Sequence, residues 1–333
     1  MSQKADVYCS AYPYAKRMTR RPLLKLLHKP RPPLTLSSVA LGVLLCLPAQ
    51  AATPVRSQPS SPLIKVSLSQ PAPAPTAPKS AVPNPAPSGP VTSSGIPMLI
   101  PKVISRFPHD PDAFTEGFEL VGSTLFESTG LVGQSSIRRT NLQSGEVLQS
   151  RVPPSSKVFS EGLTVMGEVA YQLTWQDGLV YLYDAQNLRS LGQLRYRGEG
   201  WGLTNDGKSL IMSDGSDTLY WRDPLSFAVT KKLRVTAAGA GIDKLNELEY
   251  LDGFVYANIW LSNKIARIDP LSGKVTAWID VSNLAREAQA AAAKSGRELG
   301  FDDVPNGIAH NAAKGTLLLT GKRWPLVFEV KLP

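Results

Sequence analysis

The apolar and polar positions from residue 102 onward repeat in five units. A glycine-marked turn and further β-rich runs follow a short opening motif in each unit, and a fourth run closes the first four units. Four short strands per unit, recurring about every 40–45 residues, are typical of propeller blades. The sequence therefore predicts an all-β, five-bladed β-propeller. Its opening motifs are Thr115–Phe118, Ser160–Leu163, Gly200–Leu203, Leu245–Leu248 and Pro305–Ile308.

The fifth unit and the segment before the first unit complete each other. The fifth unit stops after its third strand at Pro333, whereas Lys102–Phe107 resembles a fourth strand and belongs to no unit. We expect this N-terminal strand to close the last blade, which leaves the ring without an open edge. An insertion, Ser282–Gly300, precedes the last blade, and its alanine-rich run Leu284–Ala293 predicts a surface helix.

The first 51 residues predict a signal peptide. A basic stretch that begins near Met18 precedes the apolar run Val39–Leu47, and Ala49-Gln-Ala51 provides a small-x-small cleavage pattern. The apolar run is too short to span a bilayer comfortably. We therefore expect an exported protein, periplasmic or secreted, that keeps no stable membrane span after cleavage. Either Met1 or Met18 can be the true start.

Charge and composition divide the rest of the chain in two. Residues 52–100 are dominated by Pro, Ala and Ser and predict a disordered linker before a catalytic domain at 101–333. The formal charge of +9 consists of +7 in residues 1–51, +3 in 52–100 and −1 in the remainder. A near-neutral domain lacks the basic field that nucleic acids require. We expect a monomer, because a closed ring with a neutral surface needs no partner to fold.

The first strand of each propeller blade lines the central channel, so the opening motifs define a ring of channel residues. This ring is polar or amphipathic, where a purely structural interior favours aliphatic side chains. Such residues are also compatible with a structural role, in which they bind water and neighbouring backbone. Glu199 and Glu247 are adjacent to ring positions and face either the channel or the space between blades. The ring consists of Glu116, Glu161, Trp201, Asn246 and Asn306.

The inventory of reactive side chains limits the chemistry of this channel. Cys9 and Cys46, the only cysteines, lie in the predicted signal peptide, and the remaining histidines are too few for a zinc site. No nucleophilic triad or phosphate-binding glycine loop is present. Two possibilities remain open: metal-free acid–base catalysis by carboxylates, or calcium bound by oxygen ligands.

A series of distinctive strings runs in order from about residue 103 to the C-terminus. They include Phe114-Thr-Glu-Gly117, Phe159-Ser-Glu-Gly-Leu-Thr164, Tyr171-Gln-Leu-Thr-Trp175, Gly198-Glu-Gly-Trp-Gly-Leu-Thr204, Leu245-Asn-Glu-Leu-Glu-Tyr250, Asn306-Gly-Ile-Ala309 and Thr320-Gly-Lys-Arg-Trp-Pro325. Through these strings the chain resembles the plant and bacterial type of glutamine cyclotransferase, a family of five-bladed propellers that cyclise an N-terminal glutamine to pyroglutamate and release ammonia. The resemblance implies that peptides or proteins with N-terminal Gln are the substrates and that no cofactor is required, although structural calcium is possible.

The same resemblance implies a role for each site residue. Glu161 is expected to shuttle the proton, with its pKa raised by apolar surroundings. Asn246 and Lys322 are expected to stabilise the oxyanion, and Glu116 to anchor the α-ammonium group. Aromatic side chains would form the walls of the pocket: Phe114, Phe159, Trp175, Trp201 and Trp260.

Two other functions are compatible with the channel ring. A calcium-dependent propeller hydrolase, such as a lactonase, would use the ring carboxylates and amides as metal ligands. A non-catalytic exported propeller would bind peptides in the same channel without changing them. The ligands in the first alternative would be Glu116, Glu161, Asn246 and Asn306.

Overall fold

A computed structural model describes residues 95–333, which fold into five β-sheets of four or five strands around a central channel, with one small hairpin and one helix. The predicted five-bladed propeller is thereby confirmed. The predicted signal peptide and most of the predicted linker lie outside the described residues. Among residues 95–333 there is no helix with the length and apolar character needed to cross a bilayer.

The strands follow the repeat from the channel outward in each blade. Two strands come before the first blade, β1 (Met98–Leu99) and β2 (Lys102–Pro108). The first two blades are β3–β6 (Thr115–Val121, Thr124–Thr129, Ser136–Thr140, Val147–Arg151) and β7–β10 (Ser160–Met166, Val169–Thr174, Leu179–Asp184, Ser190–Arg195). The third blade is β11–β14 (Leu203–Asn205, Leu210–Met212, Thr218–Arg222, Val229–Arg234), and a small hairpin follows it, β15 (Thr236–Ala237) and β16 (Ala240–Gly241). The fourth blade is β17–β20 (Leu245–Leu251, Phe254–Ile259, Lys264–Ile268, Val275–Asp280), and the fifth begins with β21–β23 (Pro305–Asn311, Thr316–Gly321, Leu326–Lys331).

Burial follows the position of each strand in its blade. In the second blade, β7 is buried at every residue but the last, whereas no residue of the outermost strand β10 is buried. The inner strands contact one another around the channel, as β3 does with β7 and β21. Apolar side chains fill the spaces between neighbouring blades, for example Phe118 of the first blade against Leu318 and Val327 of the fifth. The core is therefore distributed around the ring.

The N-terminal strand closes the ring as predicted. β2 pairs antiparallel with β23, from Lys102 opposite Lys331 to Pro108 opposite Leu326. β1, which lies within the predicted linker, adds a parallel fifth strand to the fourth blade, with Met98 opposite Trp278. The N-terminal segment thus pairs with strands of the last two blades before the chain enters the first blade.

The predicted helix in the insertion is also confirmed. Helix α1 covers Ser282–Lys294 and buries Leu284, Ala288 and Ala292 on one face. Beyond it, Arg297 Nη2 donates to the carbonyl of Pro111 at 2.7 Å and forms an ion pair with Asp112 at 2.9 Å. The insertion is thereby tied to the loop that leads into β3.

A buried histidine links the fifth blade, which the closing strand completes, to the first blade. His109 follows β2, and its Nε2 lies 2.9 Å from Glu127 Oε1 while its Nδ1 lies 2.6 Å from the carbonyl oxygen of Trp324. Both partners are acceptors, so both ring nitrogens must carry protons and the ring must be an imidazolium. Burial alone would lower the pKa of His109, but the charge of Glu127 and these hydrogen bonds outweigh it and raise the pKa.

Replacing His109 with glutamine should lower the free energy of unfolding by about 3 kcal/mol near pH 6, because it leaves Glu127 buried without this cation. A raised folded-state pKa means that the stabilisation is complete below the unfolded value of about 6.5 and is lost as pH rises through the folded value. The gap between wild type and His109→Gln should therefore shrink from pH 6 to pH 9 in urea denaturation. His310→Gln is the matched control. An unchanging gap would contradict the imidazolium assignment.

Candidate active site

The ring residues meet at one end of the channel because of where their strands begin. Glu116, Glu161, Asn246 and Asn306 each occupy the second position of an inner strand and are almost completely buried. In an antiparallel hairpin the start of the first strand lies beside the end of the second, as Pro305 does opposite Gly321. The turns after the second strands therefore open onto the same end of the channel. They carry Trp175, Trp260 and Lys322.

A β-bulge sets the direction of the side chain at each of these four ring positions. The pairing of the inner strand with its neighbour shifts register at this point in the four blades concerned. A bulge re-aims the side chain it contains. Glycine follows two of the bulged glutamates because the blades pack closely: a Cβ on Gly162 would lie 2.5 Å from the backbone nitrogen of Leu203. The repeated Glu-Gly motif therefore serves both packing and site geometry.

Glu116 and Glu161 are neighbouring buried carboxyl groups, and each acts on the pKa of the other: Glu161 lowers that of Glu116, and Glu116 raises that of Glu161. Two interacting buried carboxyls titrate as a pair, and one of them keeps a proton more readily than an isolated carboxyl does. Burial raises the pKa of Glu161 well above its ordinary value, and the charge of Glu116 raises it further. Burial also raises the pKa of Glu116, but the ammonium of Lys322 opposes that rise. Of the two carboxyls, Glu161 therefore holds a proton more readily.

Glu116 is held by residues of the fifth blade. Its Oε1 accepts from Lys322 Nζ at 2.8 Å, and its Oε2 accepts from Asn306 Nδ2 at 3.1 Å. Lys322 is only 2% exposed, and its ammonium lies 4.6 Å from the centre of the Phe114 ring. Its backbone nitrogen donates to the carbonyl of Val304 at 3.0 Å. The site thus contains a buried ion pair that joins the first blade to the fifth.

Aromatic side chains surround the carboxyl pair in two groups. Phe159 makes edge contacts with Phe114 and Trp175, with ring centres 6.1 and 6.0 Å apart, and Trp201 makes one with Trp260 at 5.6 Å. Gly215, with φ of +78°, permits the second group, because a Cβ there would lie 2.6 Å from the Trp201 ring. These contacts keep water away from the carboxyls and maintain their raised pKa values.

Glu199 connects the two aromatic groups. A single oxygen of its carboxylate, Oε2, accepts from Trp175 Nε1 at 3.0 Å and from Trp201 Nε1 at 3.1 Å. The sequence left two orientations open for Glu199 and Glu247, toward the channel or toward the space between blades, and Glu247 has the second. It lies between blades and accepts from the backbone nitrogens of Phe118 and Ile308 at 3.2 and 2.8 Å. Glu199 therefore orients the pocket wall, and Glu247 stabilises the ring.

Several buried polar atoms at the site have no hydrogen-bond partner among residues 95–333. They include Asn246 Oδ1, Asn306 Oδ1 and Trp260 Nε1. Buried polar atoms are normally paired, so unpaired ones at one end of a channel indicate where a polar ligand binds. Within the same part of the chain, no cluster of three or more His, Cys, Asp or Glu side chains is arranged to hold a metal ion.

The structure adds one residue that the repeat pattern missed. Asp302 lies two residues after the insertion, and its charge acts on both Glu116 and Lys322. Burial raises the pKa of Asp302, and its Oδ1 is buried without a hydrogen-bond partner in the described residues. The insertion has no counterpart in the other blades, so nothing in the repeat indicated this position.

Comparisons with known proteins identify the family of this chain. A sequence profile of the family described as glutamine cyclotransferase matches residues 77–332. The chain is similar to a glutaminyl-peptide cyclotransferase of Arabidopsis thaliana, with 44% identity over 69% of this chain and 71% of the relative. It is also similar to the crystal structure of Myxococcus xanthus glutaminyl cyclase, with 35% identity and a TM-score of 0.65, covering 71% of this chain and 97% of that one.

Proposed function

Because the chain belongs to the glutamine cyclotransferase family, we propose that it is a glutaminyl-peptide cyclotransferase that acts by metal-independent acid–base catalysis. It converts the N-terminal glutamine of peptides and proteins to pyroglutamate and releases ammonia. The observation that carries this mechanism is the buried Glu116–Glu161 pair beside Lys322, surrounded by aromatic walls.

The reaction moves one proton between two nitrogens of the same residue. The α-amine attacks the side-chain amide carbon, a bond forms between them, and the bond from that carbon to the amide nitrogen breaks. The attacking nitrogen loses a proton and the leaving nitrogen gains one, so that ammonia departs. Glu161 in its protonated form gives the proton to the leaving nitrogen, and the Glu116 carboxylate accepts the one released. Transfer of the proton from Glu116 back to the neighbouring Glu161 then restores the starting state.

The tetrahedral intermediate carries an oxyanion that requires fixed donors. Lys322 has three N–H donors and uses one of them on Glu116, which leaves two for the substrate. The amide of Asn246 enters the site from the fourth blade and is the second donor. The α-amino group of the substrate, neutral when it attacks, donates to the Glu116 carboxylate, and the unpaired Oδ1 of Asn306 lies beside that carboxylate.

The aromatic walls supply orientation. The amine and the amide already belong to one residue, so the enzyme needs only to hold the side chain folded for closure of the five-membered ring. Trp175 and Trp201 are well suited to this task, because hydrogen bonds from both indoles to Glu199 restrain their orientation.

The contacts of the carboxyl pair disfavour the calcium-dependent hydrolase. Glu116 Oε1 is occupied by an ammonium group that would repel a cation, and burial raises the pKa of Glu161, which disfavours the ionised form that calcium needs. Of the four proposed ligands, only Asn246 and Asn306 have a carbonyl oxygen without a partner in the described residues, because Asn306 donates to Glu116 and Thr115 through its Nδ2 alone. Calcium prefers ionised carboxylates and free carbonyl oxygens.

The test is ammonia release from a Gln-initiated peptide with and without EDTA, using Asn-initiated and Glu-initiated peptides of the same length as controls. We expect ammonia and pyroglutamyl peptide from the Gln peptide alone, at rates unchanged by the chelator. A loss of activity that added Ca²⁺ restores would support the hydrolase-type metal site instead. Binding of the Gln peptide without any ammonia release would support the non-catalytic propeller.

We also propose that the protein is exported and acts as a monomer. The support is the signal-peptide pattern in residues 1–51 and the closure of the ring by the chain's own strand β2. N-terminal sequencing of the exported protein should give a start at residue 52, and a start upstream of Ala51 would contradict the predicted cleavage site.

A further inference from the structure

A second cavity lies between the second and third blades. Its volume is about 600 Å³, within the range of small-ligand pockets. The residues that line it include the four cationic side chains of Arg195, Arg197, Arg222 and Lys232, against the two acidic side chains of Glu199 and Asp214. We call this cavity the interblade cleft. Its excess of cations contrasts with the near-neutral charge of the whole domain.

The most unusual residue of the interblade cleft is Arg222. It is 5% exposed, and its guanidinium lies over the rings of Tyr196, Tyr220 and Phe227, at 5.4, 5.7 and 4.7 Å. Its Nη1 donates to the carbonyl of Phe227 at 3.0 Å, but its Nε has no partner among residues 95–333. Aromatic faces only partly replace the water and counter-ion that a buried cation needs.

No carboxylate in the described part of the chain forms an ion pair with Arg222. The acidic residue whose charge acts on it is Asp214, whose Oδ1 already accepts from the backbone nitrogen and hydroxyl of Ser216. The buried guanidinium of Arg222 therefore lies beside an open cavity without a counter-ion, and an anion bound in that cavity would supply one.

The interblade cleft is adjacent to the aromatic wall of the active site. Glu199 lines the cleft and also holds the indoles of Trp175 and Trp201. Tyr196 lines it too, and its hydroxyl donates to the carbonyl of Thr174, next to Trp175. An extended peptide advances about 3.3–3.6 Å per residue. A peptide whose first residue lies between the tryptophans can thus place its next few residues in the cleft.

We propose that the interblade cleft binds the peptide segment after the N-terminal glutamine and favours substrates with a carboxylate there, supplied by an acidic side chain or by the C-terminus of a short peptide. Arg222 is the buried anchor for this carboxylate, and the exposed Arg195 and Arg197 attract it. This inference rests on the proposed cyclase activity and extends it to the class of substrate.

The test compares three peptides that differ only after the first glutamine: Gln-Glu-Glu-Ala-amide, Gln-Gln-Gln-Ala-amide, and Gln-Gln-Gln-Ala with a free C-terminus. We expect KM for the acidic peptide to be about tenfold below that of the neutral amide, with equal kcat, because the extra contact is made equally in ground and transition states. A low KM for the third peptide identifies the C-terminal carboxylate as a ligand too. Equal KM values for all three peptides would overturn the proposal.

Variants locate the effect in the interblade cleft. Arg222→Met should raise KM for the acidic peptide about tenfold, to the value of the neutral one. The exposed double change Arg195→Gln with Arg197→Gln should reduce the preference severalfold and serves if the buried change prevents folding. Lys208→Gln is the matched control, since it removes an exposed cation from the hairpin turn between β11 and β12 and should keep the preference. A preference that survives both cleft variants would contradict the proposal.

A binding experiment distinguishes failure of this proposal from failure of the proposed function. Titration calorimetry with Ala-Glu-Glu-Ala-amide and Ala-Gln-Gln-Ala-amide measures cleft binding without any cyclisation. Stronger binding of the acidic peptide, lost in Arg222→Met, would support the cleft even if no peptide released ammonia. Equal binding of the two peptides together with normal ammonia release would overturn the cleft alone.

Discussion

Replacing Glu161 with glutamine is expected to lower kcat for a Gln-initiated peptide about 10²- to 10⁴-fold and to leave KM within about threefold. Glutamine keeps the size of the side chain and can still donate a hydrogen bond, but it has no acidic proton to transfer. The effect should therefore fall on the chemical step. Steady-state ammonia release measures both constants.

The matched control for this variant is Glu249→Gln. Glu249 is also buried and has a pKa raised well above its ordinary value by burial, but it accepts from the backbone nitrogen of His310 and not from the site. Its replacement should leave kcat within about threefold. A Glu161→Gln enzyme that keeps more than about a tenth of wild-type kcat would contradict proton transfer by Glu161.

The pH dependence of kcat/KM is a second test of proton transfer by Glu161. The substrate amine must lose its proton, which favours rates that rise toward its pKa of about 8. Glu161 must keep its proton, and its pKa is raised, so this requirement is met at low pH and fails as pH rises through that value. We expect a bell-shaped profile of kcat/KM whose descending limb disappears in Glu161→Gln.

Replacing Lys322 with methionine is expected to lower both stability and activity. The change leaves Glu116 buried without its cation, and breaking a buried pair in this way costs about 3–5 kcal/mol. It also removes a proposed oxyanion donor, which costs about 10²- to 10³-fold in kcat. Urea denaturation and steady-state kinetics measure the two effects separately.

Two further variants control this result. Lys314→Met breaks a more exposed pair with Glu329, 3.0 Å long, and should cost less than about 1 kcal/mol. Glu116→Gln combined with Lys322→Met removes both charges and should regain most of the lost stability without regaining activity. Equal stability of Lys322→Met and Lys314→Met would contradict a buried ion pair at the site.

The fold was predictable because the repeat is local. Each blade carries its own strand pattern and turns, and the unpaired segment Lys102–Phe107 matched a fifth blade that lacked its outer strand. The helix in the insertion followed from its alanine-rich composition. The strand β1 was not predicted, because two residues, Met98–Leu99, at the end of a proline-rich stretch have too little pattern to distinguish them from linker.

The composition of the site was predictable, but its connections were not. Glu116 and Lys322 are 206 positions apart, and no local pattern indicates that these side chains meet. Glu199 and Glu247 occupy similar places beside ring residues, and only the packing of blades decides that one holds the tryptophans while the other binds backbone. Asp302 was missed because it lies between the insertion and the fifth opening motif, outside the repeat.

The most direct test of the mechanism uses a Gln-initiated peptide labelled with ¹⁵N in the side-chain amide alone. The account predicts that wild-type enzyme releases ¹⁵N-ammonia in amounts equal to the peptide consumed, that the pyroglutamyl product retains only unlabelled nitrogen, and that Glu161→Gln does neither at a comparable rate. Label retained in the product, unlabelled ammonia, or full turnover by Glu161→Gln would contradict it.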